Sequence, residues 1–223
     1  MEREVVITAD GSSTIHLPEW DEQYHSKHGA IQEANHVFIR HGLQHFYDLG
    51  NNDQISILEI GFGTGLNAFI TLLEAEKLNV KIDYFGVEGY PVEMDEISQL
   101  NYPTQLKSET SESLFKKMHE ISWEEKHVIS NNFSLTKQKR FFSKIKEKDS
   151  YNLIYFDAFG ARVQPELWTE AIFQSMYDAL KEEGVLVTYA AKGSVRRAMQ
   201  AVGFKVEKLP GPPGKREMLR ATK

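Results

Sequence analysis

Apolar and polar residues alternate over the first part of the chain in the way typical of short strands. Val5–Thr8 and Thr14–Leu17 flank Asp10-Gly11, and this arrangement predicts a β-hairpin closed by a tight turn. Over Ala30–Leu43 the apolar positions recur at helical spacing instead, so we expect an amphipathic helix there.

From residue 55 onward, segments with strand character alternate with segments of helical spacing. The predicted strands are Ile55–Ile60, Ile82–Val87, Phe133–Lys137, Asn152–Phe156, Val185–Tyr189, Phe204–Lys208 and Glu217–Ala221. The predicted helices are Leu66–Leu78, Val92–Leu100, Ser111–Ile121, Thr169–Lys181 and Ser194–Ala201. This alternation predicts an α/β, Rossmann-like fold with a mostly parallel sheet, helices on both faces and an antiparallel edge hairpin at the end.

The chain of 223 residues contains no internal repeat and no long Pro/Gly linker. We therefore expect a single domain over 1–223, with a hairpin and helix extension at 1–50 and the Rossmann-like core at 55–223. Its N-terminus carries charges where a signal peptide needs an apolar segment, and no apolar run approaches the roughly 20 residues that span a bilayer. The expected location is the cytoplasm.

Cysteine content and charge limit the kinds of site and partner that we expect for this chain. The absence of cysteine excludes disulfides, thiolate metal sites and cysteine nucleophiles, and we expect no metal. The net charge is −6, but residues 192–223 carry +7 and the remainder −13. A basic end on an acidic protein suits a local contact with phosphate, and a merely solubilising face is the alternative.

A glycine loop follows the first predicted core strand. Gly61, Gly63 and Gly65 occupy alternate positions between that strand and a helix, so the backbone can turn tightly and approach a ligand closely. Glu88 ends the next strand, where an acid accepts hydrogen bonds from ribose hydroxyls. The E-x-G-x-G-x-G pattern resembles motif I of class I methyltransferases, which implies S-adenosyl-L-methionine as the cofactor. Counted from Gly63, Ala68 also fits a dinucleotide fingerprint, so a nicotinamide enzyme stays an alternative.

An acidic residue ends the strand at 151–156. Asp157 follows a strongly apolar run, at the sheet edge where open α/β proteins bind their ligands. We interpret Asp157 as a catalytic group, with a helix cap or an ordinary loop acid as the alternative.

Several further motifs occur in a specific order. They are Glu33 with Val37-Phe38, the loop Glu59–Asn67, Asp157 with Phe159, Pro165 with Trp168-Thr169, Val187-Thr188-Tyr189, Val195-Arg196-Arg197, Gly203-Phe204 and Lys215-Arg216-Glu217-Met218. In this order the chain resembles the methyltransferase domain of the tRNA 5-methylaminomethyl-2-thiouridine enzymes (the MnmC/MnmD type), without their flavin-dependent oxidase domain. The resemblance covers nearly the whole chain.

This resemblance implies methylation of the amine of 5-aminomethyl-(2-thio)uridine at the tRNA wobble position, giving 5-methylaminomethyl-2-thiouridine. The implied partners are the tRNA anticodon loop and a separate flavin-dependent oxidase, or another enzyme, that supplies the aminomethyl group. The implied catalytic residue is Asp157. The implied cofactor-binding residues are Glu33, Glu59, Gly61, Gly63, Gly65, Asn67, Glu88 and Asp157. The implied substrate-binding residues are Phe159, Trp168, Arg196, Arg197, Lys215 and Arg216.

The family carries an acid near the adenine that Leu135–Arg140 lacks, so the adenine contact stays unassigned. Other functions remain open at this point. A methyltransferase for a small amine or a protein suits the acidic overall charge, and an aminopropyltransferase would use the same fold but needs a further acid near Asp157. A non-catalytic protein that binds RNA or a partner is the third alternative.

Overall fold

The computed structural model describes residues 2–50, 54–107 and 111–223. In these ranges the strands are β1 (Glu4–Ile7), β2 (Ser13–Leu17), β3 (Glu22–Gln23), β4 (Gln54–Ile60), β5 (Lys81–Glu88), β6 (Lys126–Ser130), β7 (Phe133–Lys139), β8 (Tyr151–Phe156), β9 (Leu180–Thr188), β10 (Lys205–Pro210) and β11 (Glu217–Thr222). The helices are α1 (Ala30–Ala34), α2 (His45–Asp48), α3 (Leu66–Leu78), α4 (Met94–Ile97), α5 (Tyr102–Leu106), α6 (Ser111–Glu120), α7 (Glu170–Ala179) and α8 (Gly193–Ala201). A π-helical segment, Asn35–Gln44, joins α1 to α2.

The main sheet has the strand order β10-β11-β9-β8-β4-β5-β7-β6. The pairs at its centre, from β9 to β7, are parallel, and both edges are antiparallel. The prediction of an α/β fold with a mostly parallel sheet and a closing antiparallel hairpin is confirmed. The second antiparallel edge strand, β6, was not predicted.

Buried side chains on the central strands alternate between the two faces of the sheet, as the pleat requires. On β8, Leu153 and Tyr155 join one apolar cluster together with the π-helical segment and α3. Ile154 and Phe156 join the other cluster, which α7 and α8 complete. The sheet is therefore covered on both faces, and its carboxyl edge is where a ligand can enter.

The N-terminal extension forms a small three-stranded sheet and then a helical stretch over 30–48. The predicted hairpin is present as β1 and β2, paired antiparallel. The helical stretch is longer than predicted and runs across β9, β8 and β11. No helix in the described ranges is long and apolar enough to cross a membrane.

The predicted helix Val92–Leu100 is helical only over α4. Arg3 from the N-terminal extension donates hydrogen bonds to the carbonyl oxygens of Tyr90 (2.9 Å) and Pro91 (3.3 Å). Glu93 then caps α4 through a reciprocal capping box with Glu96, so the helix begins later than its apolar spacing suggests.

Candidate active site

A cavity of about 1250 Å³ opens at the carboxyl ends of β4, β5 and β8. Its walls include the glycine loop, the ends of β5 and β8, and the segment 20–28 from the N-terminal extension. This volume exceeds the about 300–1,000 Å³ typical of a site for one small ligand, so it can hold two reactants.

Two glycines of the loop occupy positions at which a side chain would collide with neighbouring residues. Gly61 has φ +91°, and a Cβ there would lie 2.6 Å from the carbonyl oxygen of Asp157. Gly63 has φ +50°, and its Cβ would lie 3.0 Å from the ring of Tyr24. The amides of Gly61 and Phe62 both donate to the carbonyl of Val87 at 3.0 Å, which ties the loop to the end of β5. The backbone therefore faces the cavity at close range.

Glu88 is fixed at the end of β5 by two backbone donors. One carboxylate oxygen accepts from the amide of Gly63 at 3.0 Å, and the other accepts from the amide of Tyr90 at 2.9 Å. Each oxygen keeps acceptor capacity toward the cavity, because a carboxylate oxygen can accept more than one hydrogen bond. Glu88 is thus oriented to accept from hydroxyl groups of a ligand.

An aromatic pair stands beside Glu88. The rings of Tyr90 and Phe141 lie 5.8 Å apart, and both side chains are exposed at the cavity wall. A Cβ on Gly89 would lie 3.2 Å from the Phe141 ring. The sequence-based assignment missed this exposed aromatic pair, although an aromatic residue two positions past the end of each of two strands is a visible signal.

Asn67, on the first turn of α3, links two carboxylates. Its side-chain nitrogen donates to Glu59 at 2.9 Å and to Asp157 at 2.8 Å, which uses both of its N–H groups. Its buried oxygen has no hydrogen-bond partner among the described residues. That oxygen has almost no accessible surface, so Asn67 serves here to hold the two carboxylates in place.

Burial shifts both of these carboxylates toward the neutral form. It raises the pKa of Glu59 well above its usual range, and the hydrogen bond from Asn67 opposes that shift. It also raises the pKa of Asp157 to about 7, with a further upward contribution from the Glu33 carboxylate. The Asn67 hydrogen bond and the Lys215 ammonium act against the rise at Asp157. Asp157 can therefore exchange a proton near neutral pH.

Lys215 reaches into the cavity from the turn between β10 and β11. Gly214, at φ +82°, precedes it and passes so close to His28 that a side chain would collide there. The Lys215 ammonium forms an ion pair with Glu33 and lies 3.8 Å above the ring centroid of Tyr189. The other carboxylate oxygen of Glu33 accepts from the amide of Ser26 at 2.8 Å.

The structure brings most of the predicted site residues together. The cavity is lined by Glu33, Gly61, Gly63, Asn67, Glu88, Asp157, Phe159 and Lys215. Two predicted cofactor contacts lie one layer behind it: Glu59, which is fully buried and holds Asn67, and Gly65, which contacts His119. Lys215 was predicted to contact phosphate. Its ammonium forms an ion pair with Glu33 in the cavity.

Trp168 supports the cavity wall from the core. Its ring packs against Phe156 at 5.1 Å between centroids and is buried, and its N–H donates to the carbonyl of Phe159 at 2.8 Å. Trp168 also borders the smaller groove beside the cavity, and its predicted contact with substrate stays a prediction. Phe159 itself lies on the wall, in edge contact with Trp20 and Tyr24.

A second, smaller groove of about 400 Å³ adjoins the cavity. Lys192 and Arg216 line it, and Tyr189 and Lys215 line both spaces. The other predicted basic residues, Arg196 and Arg197, lie on α8 beside it. No group of three or more potential metal ligands is assembled within residues 2–50, 54–107 and 111–223.

Residues 105–223, just over half of the chain, match a family described as S-adenosyl-L-methionine-dependent methyltransferase. The chain belongs to this family. The cofactor of this methyltransferase is accordingly S-adenosyl-L-methionine.

Individual relatives agree with this membership. The methyltransferase is 29% identical over 208 residues to the tRNA 5-methylaminomethyl-2-thiouridine biosynthesis bifunctional protein MnmC of Hydrogenovibrio crunogenus, covering 89% of this chain and 31% of that protein. The chain spans about a third of the length of the curated relatives that it matches. The crystal structure of MnmC2 from Aquifex aeolicus superposes with a TM-score of 0.80 at 26% identity, covering 99% of this chain and 69% of that one.

Spermidine synthase from Thermotoga maritima superposes with a TM-score of 0.51 at 14% identity, over 95% of this chain and 68% of the other. At that identity the likeness concerns the fold alone. The three residues that follow Asp157 (Ala158, Phe159 and Gly160) supply no further acid, and the acid that lies beside Asp157 is Glu33, which pairs with Lys215.

Proposed function

We propose that this methyltransferase methylates the primary amine of 5-aminomethyl-(2-thio)uridine at the wobble position of tRNA, giving 5-methylaminomethyl-2-thiouridine. The observation that carries the proposal is the similarity along nearly the whole chain to MnmC2 and to a protein named for the biosynthesis of that nucleoside. The proposed partners are the tRNA anticodon loop and a separate enzyme, such as a flavin-dependent oxidase, that supplies the aminomethyl group.

The cavity offers groups that suit each part of the cofactor. The backbone of Gly61 and Gly63 would lie against its amino-acid and ribose parts, Glu88 would accept from the ribose hydroxyls, and the adenine would pack beside the Tyr90–Phe141 pair. When bound, S-adenosyl-L-methionine supplies a methyl group on a positively charged sulfur. Asn67 and Asp157 stand beside the glycine loop, where a substrate amine would meet that methyl group.

Asp157 is proposed to orient the amine and to take up its proton. The amine must attack as the neutral base, and a carboxylate whose pKa is about 7 can accept the released proton at neutral pH. The methyl group would pass from the sulfur to the nitrogen, and Asp157 would accept the proton that the nitrogen then loses. Holding the reacting atoms in line can contribute about 7–11 kcal/mol of the barrier reduction.

The part of the wall around Phe159 suits an unstacked base. Phe159 presents a partly exposed ring there, held by Trp168 from behind. Arg216 lines the adjoining groove and Arg197 is exposed on α8, so both are proposed to contact phosphates, with Arg196 beside them. A wobble base lies in a single-stranded loop, so its extrusion into the cavity is comparatively easy.

The proposed substrate is tested by methyl transfer from labelled S-adenosyl-L-methionine to two matched tRNAs. One carries 5-aminomethyluridine at the wobble position and the other carries unmodified uridine there. We expect label in the wobble nucleoside of the first tRNA and none in the second. Equal labelling of both, or label only in added small amines or protein, would contradict the proposal.

The pH dependence of the reaction reports on Asp157. Because the carboxylate is the form that accepts a proton, the single-turnover rate should rise with pH through a midpoint near pH 7. Asn67→Leu removes a hydrogen bond that lowers the pKa of Asp157, so the midpoint should move to higher pH. Asn35→Leu, which removes an exposed amide elsewhere, should leave the midpoint in place. A midpoint identical in all three proteins would exclude Asp157 as the titrating group.

A further inference from the structure

The wall of the cavity beside Asp157 is built from hydrogen-bond acceptors. The carboxylates of Asp157 and Glu33 both line it, and the side-chain nitrogen of Asn67 holds Asp157 in place. The ring face of Tyr189 completes it. Carboxylates and an aromatic face together form a site for a cationic donor, and an ammonium group satisfies both.

A cation already occupies part of this site. The Lys215 ammonium pairs with Glu33 and lies 3.8 Å above the Tyr189 ring. The Glu33 side chain is only 8% exposed, whereas that of Lys215 is 31% exposed on a turn. Glu33 is therefore a fixed part of the wall, and the long lysine side chain can leave it. The adjoining groove, which Lys215 also lines, offers its ammonium a second position.

We propose that the ammonium of Lys215 occupies a site that binds the primary ammonium group of a ligand. Without ligand, its Nζ occupies an ammonium site formed by Glu33 and Tyr189 next to Asp157 and Asn67. A primary ammonium ligand displaces it toward the groove lined by Arg216. The displacing group is either the α-ammonium of the cofactor or the aminomethyl group of the substrate, and only the second case rests on the proposed function.

This arrangement has a chemical reason. Two buried carboxylates close together are costly unless a cation neutralises them, and Lys215 provides that cation until a ligand arrives. The same ion pair lowers the apparent affinity for the ligand, because only the fraction of molecules with Lys215 displaced can bind. In the groove, the displaced ammonium would stand beside Arg216, where a phosphate of the proposed RNA would be held.

Lys215→Met tests the proposal by calorimetric binding without any turnover. The probes are S-adenosylhomocysteine, which carries the α-ammonium, and its analogue without the amino group. If the cofactor displaces Lys215, the variant binds S-adenosylhomocysteine about fivefold more tightly and the analogue unchanged. The matched control is Lys208→Met, which removes a lysine that pairs with Glu217 on the same hairpin. It should bind both probes as the wild type does.

If the substrate displaces Lys215 instead, both probes bind unchanged. The KM for the free nucleoside 5-aminomethyluridine, which carries no phosphate for the displaced ammonium to contact, then falls about fivefold in Lys215→Met and not in Lys208→Met. In either case Glu33→Gln should weaken the binding of the same ammonium ligand. Equal or weaker binding of both ammonium ligands by a folded Lys215→Met protein would overturn the proposal. Lys215→Gln repeats the test if the first variant melts at a lower temperature, and absence of any transfer to tRNA would count against the proposed substrate only.

Discussion

Asp157→Asn is expected to lower the single-turnover rate of methyl transfer by about 10²–10⁴-fold, because a side-chain amide cannot take up the proton of the amine. The shape of the side chain and its contact with Asn67 are nearly retained, so the variant should still bind S-adenosylhomocysteine. Rapid-quench transfer of labelled methyl measures the first quantity, and calorimetry measures the second.

Asp149→Asn is the matched control for this substitution. Asp149 is exposed, pairs with Lys223 and has φ +45°, a conformation that asparagine adopts readily. Its rate of transfer should equal that of the wild type. If Asp157→Asn kept more than a tenth of the wild-type rate, Asp157 would not be the proton acceptor.

Asp157→Asn should also change how the stability of the protein depends on pH. The folded-state pKa of Asp157, about 7, lies above its ordinary value of 3.8, so between these values the folded protein binds more protons than the unfolded chain. The contribution of Asp157 to the free energy of unfolding therefore falls as the pH rises from about 4 to about 7. Asp157→Asn lacks this contribution, and its thermal midpoint at pH 8 should exceed that of the wild type.

Gly61→Ala is expected to abolish cofactor binding and to lower the free energy of unfolding by about 2–4 kcal/mol. The added Cβ would lie 2.6 Å from the carbonyl oxygen of Asp157, and neither backbone can move without displacing the ends of β4 and β8. The positive φ adds strain that alanine cannot relieve. Thermal unfolding and calorimetry with S-adenosylhomocysteine measure the two effects.

Gly50→Ala measures the cost of a positive φ at an alanine without any steric collision. Gly50 has φ +103°, and a Cβ there would meet open space within 4 Å in the part of the chain that the structure describes. This control should lose about 1–2 kcal/mol from strain alone and bind the cofactor normally. If Gly61→Ala behaved like Gly50→Ala, the loop would not approach β8 as closely as the structure shows.

The core of the fold was predictable because its signals are local. On β4 and β8, alternate residues face two different apolar clusters, and a glycine or an acid marks where each strand ends. Parallel strands place those ends at one edge of the sheet, which is why Gly61, Glu88 and Asp157 could be grouped before any contact was known. The short strand β6 was missed because its pairing with β7 decides its conformation more than its own sequence does.

The rest of the site depends on long-range contacts that the sequence pattern does not contain. Glu59 precedes the glycine loop and was predicted to contact the cofactor. Its place in the alternation of β4 turns its side chain toward the interior, where Asn67 donates a hydrogen bond to it. Lys215 belongs to a basic segment, and such segments usually lie on the protein surface. Its side chain enters the cavity because the chain turns at Gly214 and because its ammonium pairs with Glu33, which is distant in sequence. Arg162 similarly binds the carbonyl oxygens of Trp20 and Asp21 at 2.9 and 2.8 Å, a link across more than 140 positions.

The order of strands also sets when the site can be completed during synthesis. β11 is made after β10 but lies between β10 and β9, so this end of the sheet closes only when the hairpin is added as a unit. A nascent chain that has emerged as far as β9 already holds the glycine loop and Asp157, yet Glu33 still lacks the cation that Lys215 will bring. Such late closure by distant contacts is slow compared with local pairing. Completion of the candidate site thus waits for the last hairpin to be made, because Lys215 lies on the turn between β10 and β11.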